Sequence, residues 1–307
     1  MRMLIICGLL MAVPFSFSYS APLQVVALEN GSFEAQLNGF RIHYEVRGSG
    51  PVCMVMPVSW GMSHEGMRGF LQGLEAHLTM VYFDPRGLGR SEAVRGESDR
   101  SMANIRADFD ALRQFLGLER MILLGWSNSG MNAMRYAEEH AGAVSRLILL
   151  HTLHKMLPEW KQGMSDYAAE MREQMQGKSE AELDGMMREM MTEQWPAAMI
   201  HNAGVRDAYL EFIAGADVSW HSYLYMVEHD APGIEDADPQ RLTMPALLVA
   251  GRHDELTPEL MGGMHAELPN STFIVLENSA HFGPIEDPEA FIDAVRRFLG
   301  KDPAADD

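Results

Sequence analysis

The sequence predicts an open, mostly parallel β-sheet with helices on both faces and a helical lid inserted after the sixth strand. Three observations predict it. From residue 52 onward, short apolar runs alternate with longer amphipathic ones, the order of parallel strands joined by helices. Several short runs are continuously apolar, as in Val52-Cys53-Met54-Val55-Met56, which fits strands covered on both faces. Between residues 152 and 243 the rhythm stops, and a methionine-rich, helix-like stretch replaces it.

The elements follow in order. Arg2, an apolar run over 3–13, Pro14 and the small-residue segment ending at Ser20-Ala21 have the layout of a signal peptide over 1–20. The run is shorter than the roughly 20 residues that span a bilayer. Export to a periplasm or to the medium is therefore expected, with no stable membrane anchor after processing. Alternating segments at 32–37 and 40–47 flank Asn38-Gly39, a strong hairpin signal. Strands are expected over 52–56, 78–83, 121–124, 144–150, 246–251 and 272–276. Helices are expected over 102–116, 129–140, 258–268 and 288–299, and inside the insertion over 165–176 and 179–191. The core is thus 21–151 with 244–300, the lid 152–243, and 301–307 a tail.

Composition excludes some partners. The chain carries 43 Asp and Glu against 24 Lys and Arg, a net charge of −19, which opposes nucleic acid and anionic membrane surfaces. With 1–20 removed, Cys53 is the remaining cysteine of the two, so no intrachain disulfide is expected.

The chemistry centres on Gly125-Trp126-Ser127-Asn128-Ser129-Gly130, between a strand and a helix. A serine on such a sharp turn presents its Oγ at the top of the sheet, beside a helix N-terminus. The pattern is G-x-S-x-G with Ser129 in the last slot, and Ser is small enough for the turn to close. A serine hydroxyl needs a base, and the base needs an orienting partner. Asp254 lies just beyond the strand at 246–251, and His281 in the loop after 272–276. Ser, Asp and His, each after a parallel strand, converge on one sheet edge. Asp84-Pro85-Arg86-Gly87-Leu88-Gly89-Arg90-Ser91 reads as structural support, with Arg86 and Asp84 bracing the floor.

Over residues 32–300 these motifs make the chain resemble the α/β-hydrolase family, and within it the proline iminopeptidase-like branch. The D-x-R-G-x-G-R-S loop and Tyr136-Ala137-Glu138 after the nucleophile carry the second resemblance. That branch has H-G-G-P-G after its third strand, where this chain has Pro57-Val58-Ser59-Trp60-Gly61. An oxyanion hole takes two backbone N–H groups. The resemblance assigns Asn128 to the first and aligns Ser59 with the second, with Val58 or Trp60 as alternatives.

The expected function is a serine hydrolase cleaving a small to medium carboxylic ester or lactone through an acyl-enzyme. Expected pocket residues are Trp60, Trp126, Trp195, Trp220, Phe282 and Met226. His151, directly after the sixth strand, either lines the pocket or is a satisfied structural histidine. One alternative is an aminopeptidase, whose free-ammonium substrate needs Glu211, Asp217, Glu228 or Asp230 to face the serine. Another is a non-catalytic ligand receptor on the same fold. No cofactor and no metal set is expected: His151 and His154 have no carboxylate or Cys cluster near them in sequence, and no Gly-rich phosphate loop follows the first strand of a βαβ unit. The expected partner is a small-molecule substrate.

Overall fold

Asn38 and Gly39 both take positive φ, 48° and 82°, the backbone of a two-residue type I′ turn. They join β1 (Gly31–Leu37) to β2 (Phe40–Gly48) in a register pairing Leu37 with Phe40. The structure, a computed structural model, describes residues 28–231 and 236–300. The expected signal peptide and the tail lie outside the described residues.

Six further strands follow: β3 (Val52–Val55), β4 (Thr79–Phe83), β5 (Met121–Trp126), β6 (Val144–Leu150), β7 (Ala246–Gly251) and β8 (Ser271–Leu276). The sheet order is β1-β2-β4-β3-β5-β6-β7-β8. β2 is antiparallel to both neighbours, and every pairing from β4 to β8 is parallel. Every residue of β3, β4, β5 and β7 is buried, which is why they read as unbroken apolar runs.

Alternate strand residues feed two cores. Leu123, Leu147 and Leu248 pack with Phe109 of α2 (Met102–Phe115), Tyr136 of α3 (Asn128–Glu139) and a helix running Pro258–Glu267. Ile122, Ile148 and Leu247 point the other way. They join Phe70 of α1 (His64–Leu71), Phe291 of the final helix Pro288–Phe298, and the insertion. Between β6 and β7 run α4 (Pro158–Met175), α5 (Glu180–Glu189), α6 (Trp195–Met199), α7 (Arg206–Gly215) and α8 (Trp220–Tyr225). The helix at Pro258–Glu267 is α9, Gly283–Glu286 is α10, and Pro288–Phe298 is α11. No helix of the described residues is long and apolar enough to cross a membrane.

The loop after β4 differs from its expected bracing. Arg86 turns away from Asp84 and grips the buried Asp108 of α2 through two hydrogen bonds of 2.7 Å, its guanidinium 4.3 Å from the Phe40 ring centre. Asp108 also accepts from Asn38 Nδ2 at 2.8 Å, so this one carboxylate ties the hairpin turn to α2. Asp108→Ala leaves a buried guanidinium without its two hydrogen bonds, with only Asp99 at 3.7 Å nearby. It is expected to lower unfolding free energy by about 3–5 kcal/mol, read from the midpoint of a urea titration.

Candidate active site

β5 ends at Trp126 and α3 starts at Asn128, so Ser127 alone makes the turn, with φ 55° and ψ −129°. Its N–H donates to Leu150 O at 2.9 Å, extending the β5–β6 ladder by one residue. A Cβ on Gly125 would lie 2.7 Å from Gly130 Cα, and one on Gly130 would lie 2.5 Å from the Thr152 side chain. Both positions therefore need glycine. Ser129 fits the remaining small slot and adds a clasp: its Oγ accepts from Trp126 N and donates to Trp126 O, both at 2.9 Å. The turn leaves Ser127 half-buried, with the Asn128 amide opening the helix beside it.

Asp254 and His281 meet at the same sheet edge. His281 Nδ1 lies 3.1 Å from both carboxylate oxygens of Asp254. Leu256 N donates to Oδ1 at 3.1 Å, and His151 Nδ1 lies 2.8 Å from Oδ2. Burial pushes the Asp254 carboxyl up, but donation by His151 and His281 outweighs it and holds the group well below the ordinary carboxylate range. Trp126 Nε1 donates to His281 O at 3.0 Å, and their rings lie 5.4 Å apart, which seats the imidazole next to the serine turn.

Ser127, Asn128 and His281 line one cavity of ≈ 350 Å³ between sheet edge and insertion. Trp60, Trp126, Trp195 and Phe282 line it as expected, and so do Met102, Met131, Met156, Met164, Met199 and Met226. Two expected residues do not. His151 is fully buried behind Asp254, because its ring is turned to that carboxylate. Trp220 is buried inside the insertion, where α8 packs on α4 and α5. Ser59 is also off the lining; its Oγ accepts from Asn128 Nδ2 at 2.8 Å, tying the loop after β3 to the start of α3.

None of the four acidic residues that an ammonium-binding site would use lines the cavity. Glu228 pairs with Arg172, Asp217 accepts from Gly89 N at 3.0 Å, and Asp230 accepts from Met102 N at 3.0 Å. Glu211 is exposed. Among the described residues, the Lys and Glu side chains of the lining are Lys155 and Glu255, both exposed at the rim.

A family model described as alpha/beta hydrolase fold matches residues 54–288. The chain belongs to the α/β-hydrolase fold family. It is 25% identical over 263 residues to a pimeloyl-[acyl-carrier protein] methyl ester esterase of Vibrio vulnificus, covering 85% of this chain and 98% of that one. A proline iminopeptidase of Saccharolobus solfataricus is 21% identical over 280 residues, covering 83% and 87%. Among solved structures, a thermophilic esterase from Thermogutta terrifontis superposes with a TM-score of 0.69 at 21% identity, covering 88% and 98%.

This α/β-hydrolase chain has a second histidine–carboxylate cluster beneath the loop after β3, which sequence reasoning missed. Asp84 accepts from His64 N at 2.9 Å, His64 Nδ1 at 2.7 Å and Arg90 N at 3.0 Å, with His43 Nδ1 at 3.2 Å. Glu45 Oε2 lies 3.5 Å from His64 Nε2. These partners are scattered over β2, α1 and the loop after β4, so no local spacing signals them. Burial disfavours a charged His64, but Asp84 and Glu45 outweigh it and raise its pKa to about 9. Two groups, His43–His64–Asp84 and His151–Asp254–His281, bring three possible metal ligands within 4.8 Å. In both, each imidazole spends Nδ1 on the carboxylate, and a protonated His64 has no lone pair for a metal.

The first cluster makes stability depend on pH in a defined direction. His64 has a folded pKa above its ordinary 6.5, so its contribution is complete below that value and lost as pH rises through about 9. The adjacent His64 ring lowers Glu45, against its burial, from 4.5 to about 2. That contribution is complete above pH 4.5 and lost as pH falls through about 2. The urea midpoint is expected to fall between about pH 7 and pH 9.5, and His64→Gln should flatten that slope.

Proposed function

We propose that the protein is a serine hydrolase that cleaves carboxylic esters or lactones of small to medium size with an apolar acyl group. Ser127 Oγ attacks the carbonyl carbon while His281 takes its proton. His281 then returns the proton to the leaving oxygen, and Asp254 keeps the imidazole in the Nδ1–H tautomer. The Asn128 N–H and one N–H from residues 58–60 receive the oxyanion. Water, activated by the same histidine, hydrolyses the acyl-enzyme.

The observation that carries this reading is the cavity onto which Ser127 and His281 both open: a wall of tryptophans and methionines, with charge confined to its rim. Such a wall gains affinity by burying apolar substrate surface, at about 25 cal/mol per Å², and unbranched methionines adapt to its shape. Among the described residues a free ammonium would find no carboxylate in the lining beyond the rim residue Glu255, which supports an ester over an N-terminal amide. A receptor would have no use for a serine held in strained backbone next to a histidine–carboxylate pair.

Ser127→Ala is expected to lower kcat on p-nitrophenyl butyrate by about 10⁶-fold; an unchanged rate would remove Ser127 from the mechanism. On one preparation, p-nitrophenyl butyrate should be turned over readily and proline β-naphthylamide poorly, and the reverse ranking would favour the aminopeptidase. Export is proposed as well, with a mature chain beginning near Ala21, which N-terminal sequencing of protein from its native host checks.

A further inference from the structure

His151 is built into a seat that serves one contact. Its ring is fully buried, and Nδ1 lies 2.8 Å from Asp254 Oδ2, closer than the 3.1 Å of His281. An ionised carboxylate can only accept, so His151 Nδ1 carries a proton. Nε2 has no hydrogen-bond partner among the described residues. Two costs accompany this placement. His151 sits at φ 46°, a left-handed conformation that few residues other than glycine adopt. A Cβ on residue 283 would lie 2.6 Å from Nε2, so the position two beyond His281 must be glycine to admit the ring.

We propose that His151 is a positioning residue for the hydrolysis. As a neutral Nδ1–H donor it pins Asp254 Oδ2 and takes up part of the carboxylate's charge, so it sets how much of that charge is left to act on His281. The inference rests on the Ser127–His281–Asp254 reading above. The groups acting on His151 come from three elements: Asp254 from the loop after β7, His281 from the loop after β8, and Glu286 from α10. Glu286 is itself saturated by the N–H groups of Ala280, Phe282, His201 and Asn202. Burial lowers the pKa of His151 against the pull of Asp254, which favours the neutral ring.

Removing the donor concentrates the Asp254 charge on His281 and frees the carboxylate to rotate. In His151→Ala the acid limb of kcat/KM is expected to move up by about 0.5–1 pH unit, with kcat reduced about tenfold. In His151→Asn the limb is expected to stay close to the wild type. Asn places Nδ2 where imidazole Nδ1 sits, and it tolerates positive φ. Profiles measured on the full chain with p-nitrophenyl butyrate read both. An unmoved limb in His151→Ala, or the same displaced limb in both variants, would overturn the proposal. A separate readout needs no variant: nitrogen-15 spectra of the wild type at neutral pH should show His151 as the neutral Nδ1–H tautomer. An Nε2–H tautomer, or a doubly protonated ring at neutral pH, would also overturn it. Failure of the triad reading looks different, because hydrolysis would then survive Ser127→Ala.

Discussion

Ser127 is held at φ 55° and ψ −129°, a region that costs an L-residue of the order of 1–3 kcal/mol and persists only where its surroundings over-determine it. Those surroundings can be traced outward. The N–H of Ser127 is bound by Leu150 O, so β6 must run level with the end of β5 and carry the ladder into the turn. Gly130 must be bare because Thr152 packs against it, and that fixes how the chain leaves β6. The residue caught between Leu150 and Thr152 is His151, itself at positive φ and turned onto Asp254. One strained turn thus dictates the exits of two adjacent strands, and through the second it reaches the carboxylate that faces His281.

Buried carboxylates do comparable work at three points. Asp84 gathers His43, His64 and the Arg90 amide, and Asp254 gathers His151, His281 and the Leu256 amide. Glu286 takes two amides from the loop carrying His281 and two from the insertion at His201 and Asn202. An ionised carboxylate with three or four donors is less costly to bury than one left unpaired. It also pins segments far apart in sequence. Part of the acidic excess therefore holds the interior together, while Glu92, Glu277 and similar residues sit on the surface in ion pairs.

The sheet was legible because its central strands are buried on both faces and separated by regular helical spacings. The Asn38-Gly39 hairpin and the loops carrying Ser127, Asp254 and His281 were legible for the same reason: their signals are local. α1 was not. Its apolar positions Met67, Phe70 and Leu71 are interrupted by Gly66 and Gly69, which lower helix propensity. The glycines are there for proximity, since a Cβ on Gly69 would lie 2.5 Å from the Phe212 ring of α7. Trp220 and His151 were placed on the pocket by residue type and strand order. Neither property says which way a side chain turns, and both turn inward to other partners. Arg86 and Asp84 share a motif but not a salt bridge, because their partners come from α2, α1 and β2.

The loop after β3 shows how the insertion substitutes for a missing motif. The H-G-G-P-G segment of the resembling branch is absent, and residues 57–63 are held instead by the chain between α7 and α8. Ser63 N donates to Asp217 O, Asp217 N to Ser63 Oγ and Ser219 N to Gly61 O, each at 2.9 Å, and Met62 bridges to Val218. From the same loop Trp60 packs on Trp195 of the insertion at 4.7 Å and on Trp126 beside Ser127 at 5.7 Å. The insertion therefore does two things through one set of contacts: it walls the apolar cavity and it positions the loop that faces Ser127. A change in the helices that reshapes the cavity must also move that loop. In this chain the shape of the cavity and the surroundings of Ser127 are accordingly coupled through Trp60 and the three residues that follow it.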